Sequence, residues 1–274
     1  MLKKILLISL FLIFSFSFLI LPAKAGNDPW AVREWKLFID EATILKGYTV
    51  VAGDNEFKLG VRDQAISQAA TAVLRELGET HVPTGPTVDT QGDETNLKRV
   101  SSAWEFDFLG EPRIGVLNKP LYAAIKTDVK NEDGSTNMLR KQMHFWDGVS
   151  KTWKPLPGVN NIEESMTQAI IHLPYAILAV FEIPGEYEAM ASWYGDALTP
   201  SSPYNCASNN HDMGSYVKVC RIDDLSRCIK VKVVSTGPFV DSRIVDLTKT
   251  AFRSIGNPGG GVLAVRVVSY PPSP

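Results

Sequence analysis

The chain has 274 residues, of which 45% are apolar and 21% charged, and its formal net charge at pH 7 is −2. This length suits two ordinary domains or one large one, and the composition excludes a largely disordered chain. Because the charge is nearly balanced and no Lys/Arg run exceeds two residues, neither nucleic acid nor an anionic membrane is expected as a partner.

The first residues have the composition of an export signal. Two lysines precede an almost unbroken apolar run over residues 5–21, and the small-x-small site Ala23-Lys24-Ala25 follows. We therefore predict a signal peptide over residues 1–25 and a secreted or cell-envelope location, without membrane association after cleavage. The alternative is an uncleaved anchor, because the apolar run is slightly long for a signal. No cysteine lies near the cleavage site, which excludes a lipoprotein signal.

A mainly β first domain is predicted over residues 46–183, after a lead-in segment over 26–45 that we interpret as a short helix. Short runs rich in β-branched residues alternate there with turn signals, which indicates a β-sandwich. Its strands are expected at 49–52, 56–61, 70–77, 102–109, 121–127, 141–146, 152–154, 167–172 and 177–182. Pro184-Gly185-Glu186 is interpreted as the linker to a second domain over 187–270.

One hairpin of the first domain is signalled by Asp147-Gly148. The surrounding stretch 144–157 resembles the penultimate hairpin of small sandwich modules on bacterial surface proteins, which implies a spacer or adhesion role. Its tryptophans, Trp146 and Trp153, are either a platform for a sugar or part of the core.

The second domain shows alternating strands at 189–194, 215–220, 228–234, 243–245 and 262–268. Leu247, Ala251 and Ile255 recur at four-residue spacing, which predicts one short helix over 246–255.

The mature chain contains three cysteines, and an exported protein keeps disulfides. Cys220 and Cys228 flank a turn-like stretch between two alternating segments, so a cross-strand bridge is expected between them. The alternative is that they and Cys206 are small buried apolar residues. Four scattered histidines make no ligand spacing with these cysteines, so no metal and no cofactor are expected.

Four ordered segments of the second domain carry a family resemblance: Ala-Ser-Trp-Tyr-Gly at 191–195, Gly-Ser-Tyr-Val-Lys-Val at 214–219, Gly-Pro-Phe-Val at 237–240 and Arg-Ile-Val-Asp-Leu-Thr at 243–248. Together they resemble the rare lipoprotein A domain and, more distantly, expansins. The resemblance implies a six-stranded double-psi β-barrel with pseudo-two-fold symmetry. Family members bind or cleave cell-wall glycans, so it also implies peptidoglycan or another polysaccharide as partner.

The same resemblance shows which acid and base groups the chain lacks. Transglycosylase members carry a Glu after the Trp-Tyr-Gly strand, a His after two alanine-like positions and an Asp before Arg-Gly-Pro. The matching positions here are the Glu-free segment 199–205, Ser208 and Ser235. A serine cannot donate the proton that glycosidic cleavage requires at neutral pH, so the usual transglycosylase chemistry is not expected.

Two carboxylates remain as catalytic candidates. Asp246 matches the Asp that precedes the family's helix, and its alternative role is the N-cap of that helix. Asp196 directly follows Trp-Tyr-Gly and is either a base opposite Asp246 or a solvated loop residue. An inverting pair would need roughly 6.5–9.5 Å between the two carboxyl groups.

Glycan contacts are predicted for Trp193, Tyr194, Ser235 and Asp212, the last beside His211. Aromatic rings stack on the apolar faces of sugars, and alternation allows only one of the two aromatic residues to face the barrel core. The sequence thus leaves three functions open: glycan binding without cleavage, cleavage by Asp246 with or without Asp196, and a structural surface module.

Overall fold

The computed structural model describes five stretches of the chain, residues 30–127, 137–161, 164–196, 202–240 and 242–270. The predicted signal peptide over 1–25 and its cleavage site lie outside the described residues. Within these five stretches, no helix has both the length and the apolar character needed to cross a bilayer.

The described chain is mainly β. In chain order, its strands are β1 (Ala31–Ile39), β2 (Tyr48–Ala52), β3 (Phe57–Val61), β4 (Ala70–Leu77), β5 (Thr87–Val88), β6 (Glu94–Thr95), β7 (Trp104–Leu109), β8 (Leu121–Lys126), β9 (Leu139–Asp147), β10 (Thr152–Pro155), β11 (Gly158–Asn161), β12 (Met166–Ile171), β13 (Ala176–Tyr194), β14 (Asn205–Ala207), β15 (Tyr216–Arg221), β16 (Cys228–Ser235), β17 (Arg243–Thr248) and β18 (Leu263–Tyr270). The α-helices are α1 (Glu41–Ile44) and α2 (Lys249–Ile255), and single 3-10 turns occur at Glu79–His81 and Pro258–Gly260.

The first compact unit comprises the described residues up to Thr84, Ser102–Ile125 and Ala169–Leu178. One sheet runs β1-β4-β7 and continues to the start of β13, while β2, β3, β8 and β12 belong to another. Trp104 of the first sheet stacks on Phe57 of the second, with ring centroids 5.2 Å apart. Two sheets that share a buried aromatic core are the arrangement that the predicted β-sandwich requires.

The second compact unit comprises Gly85–Ser101, Lys126–Gln168 and Ala179–Pro274. It contains the β9–β10 hairpin, in which Thr152 pairs with Asp147 as the turn signal predicts. Trp153 is buried, and its ring centroid lies 5.6 Å from that of Trp146. This packing favours the interpretation of the hairpin tryptophans as core residues over a sugar platform.

Six of the described strands close into a barrel in the order β17-β14-β16-β15-β18-β13, with β13 pairing again with β17. The part of β13 that takes part in the barrel lies in the second unit. The β13–β17 and β14–β16 pairs are parallel, whereas the other four pairs are antiparallel. Small and β-branched side chains fill the interior, and α2 contributes its buried stripe. This core consists of Ala189, Ala191, Cys206, Val217, Val219, Val231, Val233, Ile244, Val245, Leu247, Ala251, Phe252, Ile255, Val265 and Val267.

The predicted helix in the lead-in segment is wrong over residues 31–39, which form strand β1. β1 pairs with β4 along its whole length, and Glu34 lies in register with Arg75. The Arg75 guanidinium contacts the Glu34 carboxylate at 2.7 Å. The ion pair allows the charged Glu34 to be buried beside Trp35. A buried charge next to an apolar residue hides the polar–apolar alternation by which a strand is recognised in a sequence.

The predicted linker Pro184-Gly185-Glu186 lies within strand β13, so its assignment as a loop is wrong. Gly185 has a positive φ of 76°, which allows the chain to bend without ending the strand. Glu186 already pairs with Val268 of β18. The domain ranges 46–183 and 187–270 remain a proposal. The two compact units divide the chain differently, because residues 85–101 and 126–168 group with the C-terminal residues.

Candidate functional site

Four registered residues form a row across neighbouring barrel strands. Ser192 of β13 pairs with Asp246 of β17, Asp246 pairs with Ala207 of β14, and Ala207 pairs with Ser235 of β16. Paired side chains share one face of a sheet. The adjacent positions on the first three strands point into the core, so this row lies on the outer face of the barrel. Asp246 is half-buried and Ser235 is exposed there.

Asp246 is held by a short chain of hydrogen bonds. The Ser192 hydroxyl donates to Asp246 Oδ1, and Arg243 Nη1 donates to the Ser192 oxygen at 3.3 Å. Ser192 is only 5% exposed, so its hydroxyl orients the carboxylate from a fixed position. The sequence analysis did not identify Ser192 and Arg243 as partners of Asp246. They meet Asp246 through the parallel pairing of β13 with β17, which cannot be read from the local sequence pattern.

The alternative role of Asp246 as a helix N-cap is wrong. β17 continues to Thr248, and α2 begins at Lys249 with Thr248 in the N-cap position and no side-chain hydrogen bond from it. The predicted start of the helix at residue 246 is therefore three residues too early. Asp246 keeps an extended backbone and directs its carboxylate to the outer face.

Asp196 stabilises the start of α2 instead. Its Oδ1 accepts a hydrogen bond from the Thr250 amide at 3.0 Å, and its Oδ2 accepts one from the Thr250 hydroxyl at 2.6 Å. These bonds from Thr250 lower the pKa of Asp196 below its ordinary value. Asp196, which follows the end of β13, thus caps the N-terminus of α2 with its side chain. It is not the solvated loop residue that the sequence left as an alternative.

The predicted aromatic contacts lie on opposite sides of β13. Trp193 packs against the barrel core, and its indole Nε1 donates to the Pro258 carbonyl at 3.0 Å. Lys249 Nζ lies 4.8 Å from the Trp193 ring centroid. Tyr194 alternates to the side of Ser192 and is half-buried. Of the two rings, Tyr194 therefore shares the face of Asp246.

A tight loop follows β14 and contains Ser208 and His211. Ser208 is 2% exposed, and its Oγ lies 3.0 Å from His211 Nδ1. The His211 ring packs edge-on against Tyr187 with centroids 5.2 Å apart, and burial lowers the pKa of His211. Asp212 is exposed, and its backbone carbonyl accepts a hydrogen bond from Ser215.

The cysteines divide between a bridge and the core. Cys220 and Cys228 lie in register on β15 and β16 and form a disulfide. Cys206 is free and buried in the barrel core, where burial raises its pKa to about 12. Among the residues that the structure describes, no group of three or more His, Cys, Asp or Glu side chains is placed to hold a metal ion.

Comparison with known proteins assigns the barrel. Residues 187–267 match the family model described as lytic transglycolase. The chain is 29% identical over 135 residues to the endolytic peptidoglycan transglycosylase RlpA of Helicobacter pylori strain J99, covering 43% of this chain and 42% of that protein. It is 28% identical over 141 residues to the protein of the same description from a second strain, covering 45% and 44%.

The C-terminal region is therefore a double-psi β-barrel of the rare lipoprotein A type, which confirms the prediction from its four sequence segments. The matched part of the chain spans less than half the length of these curated relatives.

Proposed function

We propose that this protein is exported to the cell envelope, where its barrel binds or remodels peptidoglycan without the acid and base residues that family transglycosylases use. The match of residues 187–267 supports a role with wall glycan, because both curated relatives are described as peptidoglycan transglycosylases. A shared barrel alone does not determine the activity, so the proposal depends on the groups around Asp246.

The observation that carries the proposal is the engagement of Asp196. Glycosidic cleavage needs a proton donor and, in hydrolysis, a second carboxylate across the scissile bond. Asp196 accepts two hydrogen bonds from Thr250 at the start of α2, so it serves the helix. The positions of the family's His and Asp carry Ser208 and Ser235, and neither hydroxyl supplies that chemistry.

The second candidate function is glycan cleavage with Asp246 as the acid. It is favoured by the half-buried position of Asp246 on the outer face and by its fixed partner Ser192. The third is a structural surface module, favoured by the packing of Trp193 against the core, which removes one of the two predicted sugar-contact rings from the outer face.

The test is incubation of the purified chain with peptidoglycan and, separately, with glycan strands from which the stem peptides have been removed. Soluble products and sedimented protein are both measured. Asp246→Asn removes the acid while keeping the size of the side chain, and Asp196→Asn is the matched control at the other carboxylate. We expect wild type and both variants to sediment with peptidoglycan and to release nothing from either substrate.

Release of products by wild type that is lost in Asp246→Asn would establish the second candidate. Loss in Asp196→Asn as well, with the fold intact by circular dichroism, would establish a carboxylate pair. A protein that neither sediments nor releases products would support the third candidate and contradict the proposal.

A further inference from the structure

One side of the barrel carries an exposed cluster that the proposed function does not use, and it shares only strand β16 with the row that contains Asp246. We call it the lysine–tyrosine face. It is formed by the outward side chains of β15, β16 and β18, which are antiparallel neighbours. The cluster consists of Tyr216, Lys218, Lys230, Lys232 and Tyr270.

The register of this face brings like charges together. Lys218 lies directly opposite Lys230 across the β15–β16 pair, and Lys232 lies opposite Tyr216. Side chains in register are about 5 Å apart at Cβ, and like charges in such positions destabilise a sheet. The arrangement therefore opposes folding, unless an anion from outside the chain compensates for it.

The chain itself supplies no such compensation within its described residues. None of these three lysines makes an ion pair with a described carboxylate, and the outward positions of the three strands hold no Asp or Glu. Arg266, the remaining cation on β18, is already paired with Glu188 at 2.6 Å.

The tyrosines hold one lysine in place. Lys230 Nζ lies 4.6 Å from the ring centroid of Tyr216 and 4.2 Å from that of Tyr270. Each ring attracts the ammonium group through its π-electron face, so Lys230 is oriented between them. The two tyrosines are themselves 39% and 40% exposed, and they present polar hydroxyl groups beside the three ammonium groups.

We propose that the lysine–tyrosine face binds the carboxylates of peptidoglycan stem peptides, as a site separate from the Asp246 row. The inference rests on the proposed function for the identity of the polymer. Three uncompensated ammonium groups attract anions, and the aromatic rims add contact with the peptide or sugar beside them. The whole chain has a net charge of −2, so this attraction is local to the face.

The experiment measures sedimentation of the full chain with peptidoglycan stripped of phosphate polymers by hydrofluoric acid, so that carboxylates are its anionic groups. The test variant is Lys218→Gln/Lys230→Gln/Lys232→Gln. We expect its apparent Kd to rise about tenfold at low salt, as the loss of three exposed charge contacts predicts. The difference from wild type should shrink as salt is raised, because exposed charges are screened.

Two controls separate the site from general charge. Lys46→Gln/Lys98→Gln/Lys151→Gln removes three other exposed lysines and should bind like wild type. Replacement of the three face lysines by arginine keeps the charge and should also keep binding. Peptidoglycan whose carboxylates have been amidated with carbodiimide and ethanolamine should bind wild type as weakly as native polymer binds the glutamine variant.

The proposal is overturned if the glutamine variant binds like wild type, if the control triple weakens binding equally, or if amidation has no effect. Failure of the proposed function is seen separately, because wild type would then not sediment with either form of the polymer.

Discussion

At the scale of single residues, Asp196 shows how one carboxylate can belong to structure rather than to catalysis. We expect Asp196→Ala to lower Tm by a few degrees, because the Thr250 amide and hydroxyl lose their acceptor. Asp196→Asn keeps an acceptor oxygen for the amide and should lose less. Thermal unfolding followed by circular dichroism measures both changes.

The effect of Asp196 should also depend on pH. The hydrogen bonds from Thr250 hold its pKa below the ordinary value of 3.8, so the folded state favours the charged form. This stabilisation is present above the ordinary pKa and is lost as pH falls through the lower folded-state pKa. The difference in Tm between wild type and Asp196→Ala should therefore be larger at pH 7 than at pH 3. An equal difference at both values would contradict a role of the charge.

Glu188 offers a second residue-scale prediction, within the second unit. Its side chain is 1% exposed, is paired with Arg266 at 2.6 Å, and accepts a hydrogen bond from Asn160 at 2.7 Å. Removing one member of a buried pair leaves the other charge uncompensated, so Glu188→Ala should lower the free energy of unfolding by about 3–5 kcal/mol. Urea denaturation measures this change.

The matched control is Glu186→Ala, two residues earlier on the same strand. The Glu186 side chain is 27% exposed and is paired with Arg140, so its loss should change the free energy of unfolding by about 1 kcal/mol or less. Similar losses in the two variants would show that burial does not govern the strength of these ion pairs.

Sequence reasoning identified Asp246 and Asp196 as the carboxylates of interest but exchanged their structural roles. A local pattern shows that an Asp precedes a helix; it does not show that the preceding strand runs on to Thr248. Nor does it show that Asp196, more than fifty positions before α2, meets the helix through the parallel pairing of β13 with β17. The contacts that depend on pairing between strands distant in the chain are therefore the part of the site that could not be predicted from the sequence.

At the scale of elements, the β15–β16 hairpin is closed by the bridge between Cys220 and Cys228, which are eight residues apart. Such a crosslink lowers the conformational entropy of the unfolded chain. For a loop of this length, removal of the crosslink should lower the free energy of unfolding by about 2.5 kcal/mol. Cys220→Ser/Cys228→Ser should therefore unfold at lower urea, and reductant should destabilise wild type but not this variant. An equal reductant effect on wild type and the variant would contradict a stabilising role of this bridge.

Elements defined by alternation were predicted well, and elements stabilised by ion pairs or by a bend were not. β7 ends at the predicted residue, Leu109, because apolar and charged residues alternate along it. β1 was missed because Glu34 is buried in an ion pair with Arg75. A charged residue in a sequence is normally taken to mark an exposed position. β13 was divided at Gly185 because a Pro-Gly pair is a turn signal in most contexts, whereas here the strand continues through it.

At the scale of the whole molecule, the division of the chain into two compact units predicts departure from a single two-state transition. Phe57 belongs to the first unit and Phe252 to the second, and both are fully buried. Each Phe→Ala change should cost about 3–5 kcal/mol. We expect calorimetry to show Phe57→Ala and Phe252→Ala shifting different parts of the unfolding profile, whereas identical shifts would indicate one cooperative unit.

The position of β18 in the ring has a consequence for biosynthesis. This strand is made from the last described residues of the chain, yet it lies between β13 and β15. While a ribosome is still adding those residues, β13 and β15 have been made and their facing edges have no partner, so the nascent barrel is an open sheet with two unpaired edges. Ring closure therefore requires the insertion of β18 between two strands that were made much earlier, and pairing between segments so distant in sequence is inherently slow.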